Sequence, residues 1–264
     1  MLTDMTLTET SEPSSASDAS AICWAQMPAL IEEVRTTGQR IGLPFIAVQS
    51  DVGDPQPMSD QQGRPYAETT FEWVDPDYHY WKDRKLALQA PMLTASRLIS
   101  EPFYYANRTL KTWRPTIMLD GIDCSSLNDS PNFSAAIGAP VHLPRGLVGL
   151  VLWAAREPVP IEAIFAEHAE HLSALALRLV ATHIEARRRP NSNTVLQTLT
   201  RREVQCLRWA AAGKTDGEIG IILTLSVSTV RFHLRNAAGK LGATGRAQAI
   251  QIAAGLGYVG ARLA

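Results

Sequence analysis

No apolar run in this 264-residue sequence approaches the roughly 18 residues that would span a bilayer, so no membrane partner is expected. Cysteine is scarce. Cys23, Cys124 and Cys206 lie far apart and form no CxxC pair, which excludes a disulfide framework and a zinc knuckle. No GxxxxGK[ST] loop, GxSxG elbow or Ser-His-Asp order is present, so ATPase and hydrolase chemistry are excluded and the chain is not expected to be an enzyme. Asp75, Asp77 and His79 form a DxDxH cluster without a second group of ligands, and His168 and His171 lack a companion ligand pattern. No metal or cofactor is expected. The first twenty residues have neither the basic start nor the apolar stretch of a secretory leader, which makes the cytosol the expected location.

What is present suffices for two domains, since 45% of the residues are hydrophobic. The net charge of −1 conceals an asymmetry: from Gln197 onward there are nine lysines and arginines against three acidic residues, so the remainder is acidic. A small basic domain on a larger acidic one is the layout expected when only the small one meets a polyanion. Residues 1–20 are polar and nearly free of large apolar side chains, the composition of a disordered tail. EARRRPNSNT, residues 185–194, reads as the polar stretch of an interdomain linker, which is placed at 188–196. The domains are therefore expected at 21–187 and 197–264.

Within the larger segment, the pattern predicts a helix over 21–37, a strand in GLPFIAVQS and a helix around 78–99. PFYYANRTL reads as a strand. FSAAIGAPVHL and GLVGLVLWAA read as a hairpin joined by Pro144-Arg145-Gly146. Apolar residues at 3,4 spacing predict a long helix over 161–184, packed on the sheet or paired with another subunit.

The basic segment carries a more specific pattern. Thr200 with Glu203 and Thr215 with Glu218 are two capping boxes, each at the head of a predicted helix; Gly213 ends the first, and Ile219, Ile222 and Leu223 form the inward face of the second. After the turn Thr224-Leu225-Ser226, a third helix turns Val230, Leu234, Ala237 or Ala238, and Leu241 inward and stops at Gly242. Ser228, Arg231, Arg235, Asn236 and Lys240 project outward. Guanidinium forks, an amide and a hydroxyl on one helix suit base edges and phosphates, so this is read as the recognition helix of a helix-turn-helix domain binding double-stranded DNA. A small helical bundle with a solvated basic face is the alternative.

LTRREVQCLRWAAAGKTDGEIGIILTLSVSTVRFHLRNAAGKLGATGRAQAIQIAAGLGYV resembles the C-terminal domain of LuxR-type regulators, with Glu203, Leu207, Gly213, Glu218, Ile219, Thr229, Val230, Lys240 and Leu241 at the positions usually fixed there. The resemblance implies base contacts by Arg231 and Arg235 and backbone contacts by Lys214, Thr215 and Lys240. It also implies a fourth helix, 246–256, whose Ala249, Ile252 and Ala253 pair two domains over a dyad operator. Residues 21–187, through YHYW, the Ala90-Pro91 pair, EPFYY and GAPVHLPRGLVGLVLWA, resemble the autoinducer-binding domain of quorum-sensing LuxR regulators. The fold so implied is α+β: an N-terminal α-β-α sandwich followed by an all-α four-helix helix-turn-helix domain.

In that family a pocket aspartate holds the amide of an acyl-homoserine lactone. Aligning Pro91 puts Ala90 at the aspartate, Tyr105 at a pocket Trp, Trp81 at a pocket Tyr and Asp77 near another Trp, while Ala136 replaces a usual glycine. Loss of the carboxylate removes a charge-assisted hydrogen bond of about 1.5–3 kcal/mol, so a different apolar or aromatic small-molecule signal is expected. Trp73, Tyr78, Trp81, Ala90, Tyr104, Tyr105, Trp113 and Ala136 are the candidate lining, with plain core packing as the alternative for the aromatics. The expected regulator is a homodimer. The second reading is a ligand-independent regulator, or one forming heterodimers with a related protein.

Overall fold

The computed structural model describes residues 16–54, 56–74, 90–128, 133–188 and 198–260. Helix α1, Ala16–Arg40, begins inside the segment read as a tail. Ala16, Ala19 and Ala21 favour helix, and the Ser20 hydroxyl donates to the carbonyl of Ala186 at 2.6 Å, tying the start of α1 to the end of a later helix. Strand β1, Phe45–Gln49, follows, then the single-turn helix α2, Tyr66–Thr69. Of the helix predicted around 78–99, residues 78–89 lie outside the described part; α3, Pro91–Leu98, begins afresh at Pro91, with Ala90 as its non-helical N-cap, so it is not the continuation of a single helix through that point.

PFYYANRTL is two strands rather than one: β2, Phe103–Ala106, and β3, Thr109–Lys111. Asn107 and Arg108 both take positive φ, 50° and 63°, the geometry of a two-residue hairpin turn, so the chain reverses between them. Strands β4, Ala135–Leu143, and β5, Leu147–Ala155, form the predicted hairpin about Pro144-Arg145-Gly146. Among the described residues, five strands make one antiparallel sheet in the order β1-β5-β4-β2-β3.

The two central strands are buried along nearly their whole length because both faces of the sheet are covered. On one face Ile137, Ala139, Val151 and Trp153 pack against α1 and against α4, Ile161–Ala186. The other face, with Ala136, Leu150, Leu152 and Ala154, packs against α3 and the loops around it. This is the α-β-α sandwich.

The basic segment folds as four helices: α5, Arg201–Ala211; α6, Asp216–Leu223; α7, Val227–Lys240; and α8, Arg246–Gly255. Cys206, Leu207, Ile219, Val230, Leu234, Ala237, Leu241, Ala249 and Ala253 form its core. Two expectations shift here. Ile222 is substantially exposed, because the helix is only two turns long and its close contact to the rest is made by Ile219 and Gly220, the latter under the Leu225 carbonyl. Of Ala249, Ile252 and Ala253, read as a surface for pairing domains, the two alanines are buried within their own domain, since they lie four residues apart on α8 and close the core over α5 and α7, while Ile252 is only partly buried. The other end of α8 meets the sandwich at the Pro144–Gly146 turn, where Gly255 lies against the Arg145 backbone.

Candidate nucleic-acid interface

Local capping positions the polar side chains of the basic domain. The Thr200 hydroxyl accepts from the Glu203 amide at 3.3 Å while Glu203 Oε2 accepts from the Thr200 amide at 2.7 Å. Thr215 and Glu218 repeat the device at 3.3 and 2.8 Å, and Lys214 Nζ reaches Glu218 Oε1 at 3.0 Å. The Thr215 amide, then Lys214, bring the Glu218 carboxyl down to about 2. Ser226 caps α7, its hydroxyl accepting from the Thr229 amide at 3.1 Å and lying 2.8 Å from the hydroxyls of both Ser228 and Thr229. The free amides at this end and the hydroxyls beside them suit a phosphate.

The outward face of α7 carries Ser228, Arg231, Arg235 and, at its edge, Asn236. Arg235 has no hydrogen-bonding or ionic partner among the described residues. Arg231 does: its Nε donates to Asp216 Oδ2 at 3.2 Å. The second oxygen of Asp216 pairs with Arg246 Nη1, and Arg246 Nη2 donates to the Lys214 carbonyl at 2.6 Å. Phe232, absent from the candidates, sits one turn after Ser228 on this same face and is half exposed. An apolar side chain at an outward helical position was the available signal.

Lys240 was expected to face phosphate. Its ammonium instead reaches Glu203 Oε2 at 2.9 Å and the Thr198 carbonyl at 3.4 Å, with the Glu203 side chain buried. Burial alone would raise the Glu203 carboxyl, but hydrogen bonds from the Thr200 amide and Lys240 outweigh it and hold the group below its ordinary range. Lys240 thereby joins the end of α7 to the start of α5.

In the sandwich, Trp73, Tyr105, Ala136 and the half-buried Ala90 gather on one side of the sheet around Phe133, whose ring meets Trp73 and Tyr105 edge-on at 5.9 and 5.4 Å. The Trp73 indole N–H is buried without a hydrogen-bond partner among the described residues. Tyr104 and Trp113, expected in the same lining, stand on the opposite side against Phe165, at 4.9 and 6.2 Å. Alternation along a strand sends Tyr104 and Tyr105 to opposite faces, and the Tyr104 hydroxyl donates to Glu162 at 3.2 Å. Trp113 is half exposed. Tyr78, Trp81 and the Asp75–His79 cluster lie outside the described residues. Among the described residues no group of histidine, cysteine and acidic side chains is arranged to hold a metal ion.

Residues 197–253 match the family of bacterial regulatory proteins described as the luxR family. The chain is 39% identical over 126 residues to the transcriptional activator protein VanR of Vibrio anguillarum, a match covering 47% of this chain and 52% of that one. It thus spans about half the length of that relative. The transcriptional activator protein PhzR of Pseudomonas fluorescens is 30% identical over 186 residues, covering 66% of this chain and 68% of PhzR. A crystal structure of Escherichia coli SdiA aligns over 91% of this chain and 96% of its own, with 18% identity and a TM-score of 0.47.

Proposed function

The chain belongs to the luxR family of bacterial regulatory proteins, and from that premise we propose that it regulates transcription as a dimer that reads a dyad operator in double-stranded DNA. The observation that carries the proposal is the outward face of α7, where two arginines one turn apart stand on a rigid, capped helix with no part in the core. Side chains held on packed helices can be aimed at base edges in the major groove, and bidentate arginine is the commonest reader of guanine there. In this reading Arg231 and Arg235 touch bases. Ser228, Thr229 and Asn236 contribute polar contacts, Lys214 and Thr215 touch the backbone, and Lys240 acts through Glu203 by fixing α7 on α5.

The sandwich domain serves as the sensor. Trp73, Tyr105, Ala90 and Ala136 line its proposed site on the α3 side of the sheet, and the unpartnered Trp73 N–H supplies a donor for a mainly apolar ligand. With Ala90 contributing no carboxylate, the ligand differs from an ordinary acyl-homoserine lactone. The same alanine, together with the dense packing around Phe133, favours the second reading, in which the sandwich binds no signal and pairs with a related regulator.

Gel-shift binding of the purified protein to its own upstream DNA, with and without an extract of the producing cells, tests the two against each other. Binding that requires extract is the expected result. Equal binding in both, with no small molecule released on denaturation and seen by mass spectrometry, would overturn the sensing role.

A further inference from the structure

Asp216 occupies the first position of α6, and its carboxylate joins three helices at the rim of the proposed DNA face. Oδ2 accepts from Arg231 Nε on α7 at 3.2 Å, and Oδ1 pairs with Arg246 Nη1 at the head of α8. Arg246 is anchored a second time by the Lys214 carbonyl at 2.6 Å. The Asp216 side chain is largely covered, at 21% exposed, whereas that of Arg231 is 72% exposed. The carboxylate takes only Nε of Arg231, and neither terminal nitrogen of that guanidinium has a partner among the described residues.

We propose that Asp216 is a specificity-determining residue: it aims the free fork of Arg231 at a base edge and cancels its charge toward phosphates, so it raises the preference for operator over random DNA. The inference rests on the DNA-reading role of α7. A guanidinium held through Nε keeps Nη1 and Nη2 for two parallel hydrogen bonds, the geometry that matches O6 and N7 of guanine. At the operator Arg231 gains these bonds without leaving Asp216. On random DNA the gain comes from neutralising phosphates, and there the nearby carboxylate offsets the arginine's charge and repels the strand. Arg235, without such a partner, has no comparable restraint. Arg246 keeps the carboxylate in place by occupying its other oxygen, so the clamp survives motion of the exposed Arg231 side chain.

The test uses the full-length protein, the duplex that it enriches from a random-sequence pool and a scrambled duplex of equal length, titrated by fluorescence anisotropy over a range of salt. Asp216→Asn is expected to strengthen binding to the scrambled duplex by about threefold to tenfold and to steepen the logarithmic salt dependence by about 0.9. Binding to the selected duplex stays level or weakens, so the preference ratio falls about tenfold. In an Arg231→Ala background the same substitution leaves the ratio unchanged. Asp216→Glu keeps the charge but displaces it by one methylene; it is expected to leave scrambled-DNA affinity alone and lower the ratio, which covers the case where Asp216→Asn does not fold. An unchanged ratio in Asp216→Asn or Asp216→Glu, or an equal fall without Arg231, overturns the role of Asp216. Failure of the wild-type chain to enrich any sequence would overturn the DNA-reading role itself, and this inference with it.

Discussion

His183 is fully buried near the end of α4, and its two ring nitrogens bridge the segment after β1. Nε2 lies 3.0 Å from the Ser59 carbonyl, which can only accept, so Nε2 carries the proton and Nδ1 accepts from the Ser50 hydroxyl at 2.8 Å. The ring is therefore neutral, and burial brings its pKa down to about 4. Because the unfolded chain binds this proton near pH 6.5 and the folded one does not, stability falls as pH drops through 6.5 and levels off near 4, by an amount on the order of 3 kcal/mol. Urea unfolding at pH 7 and pH 5 checks it: the wild-type sandwich loses stability at the lower pH, and His183→Gln loses less. The Lys240 and Glu203 pair belongs to the same scale. Lys240→Ala leaves a buried carboxylate without its cation, and thermal melting is expected to show the basic domain destabilised by about 1–3 kcal/mol before any DNA is added.

At the scale of elements, the hairpin of β4 and β5 was legible because its residues are apolar on both faces and a Pro-Arg-Gly turn divides them. The helices α5, α6 and α7 were legible because their N-caps are spelled out locally in Thr200, Thr215 and Ser226. The turn at Asn107 and Arg108 was not, because an arginine at positive φ is uncommon and carries no glycine signal. Nor could spacing show the Asp216 clamp, whose partners are 15 and 30 residues away, or the capture of Lys240 by Glu203 across 37 residues. The lining of the proposed pocket was half legible. Aromatic residues could be counted, but assigning Tyr104 and Tyr105 to opposite faces needs the strand's register, which the pairing of Tyr105 with Ala136 supplies. Gly138 is a further case, for a Cβ there would come within 2.5 Å of the Phe103 ring across the neighbouring strand. Gly138→Ala is expected to cost about 1–3 kcal/mol of sandwich stability in chemical unfolding, and Phe103→Leu in the same chain to recover part of it.

At the scale of the whole molecule, among the described residues the basic domain meets the sandwich at the Pro144–Gly146 turn. Gly255 of α8 lies against Arg145, and a Cβ on Gly255 would come within 2.6 Å of Arg145 backbone atoms, which cannot yield as a flexible side chain would. Gly255→Ala is therefore expected to loosen the two domains while each keeps its own core. Limited proteolysis between residues 188 and 198 checks this, with faster cleavage at unchanged melting temperatures as the expected outcome. The charge division along the chain serves the same arrangement, since a basic reading domain on an acidic partner is steered to DNA by one end only.

Sequence selection from a random pool by the wild-type protein and by Arg235→Ala tests the reading of DNA by α7 most directly. The account predicts that the wild type enriches a two-fold symmetric motif and that Arg235→Ala enriches the same motif with one position in each half-site left degenerate. An affinity loss equal for every sequence, with the motif intact, would contradict it.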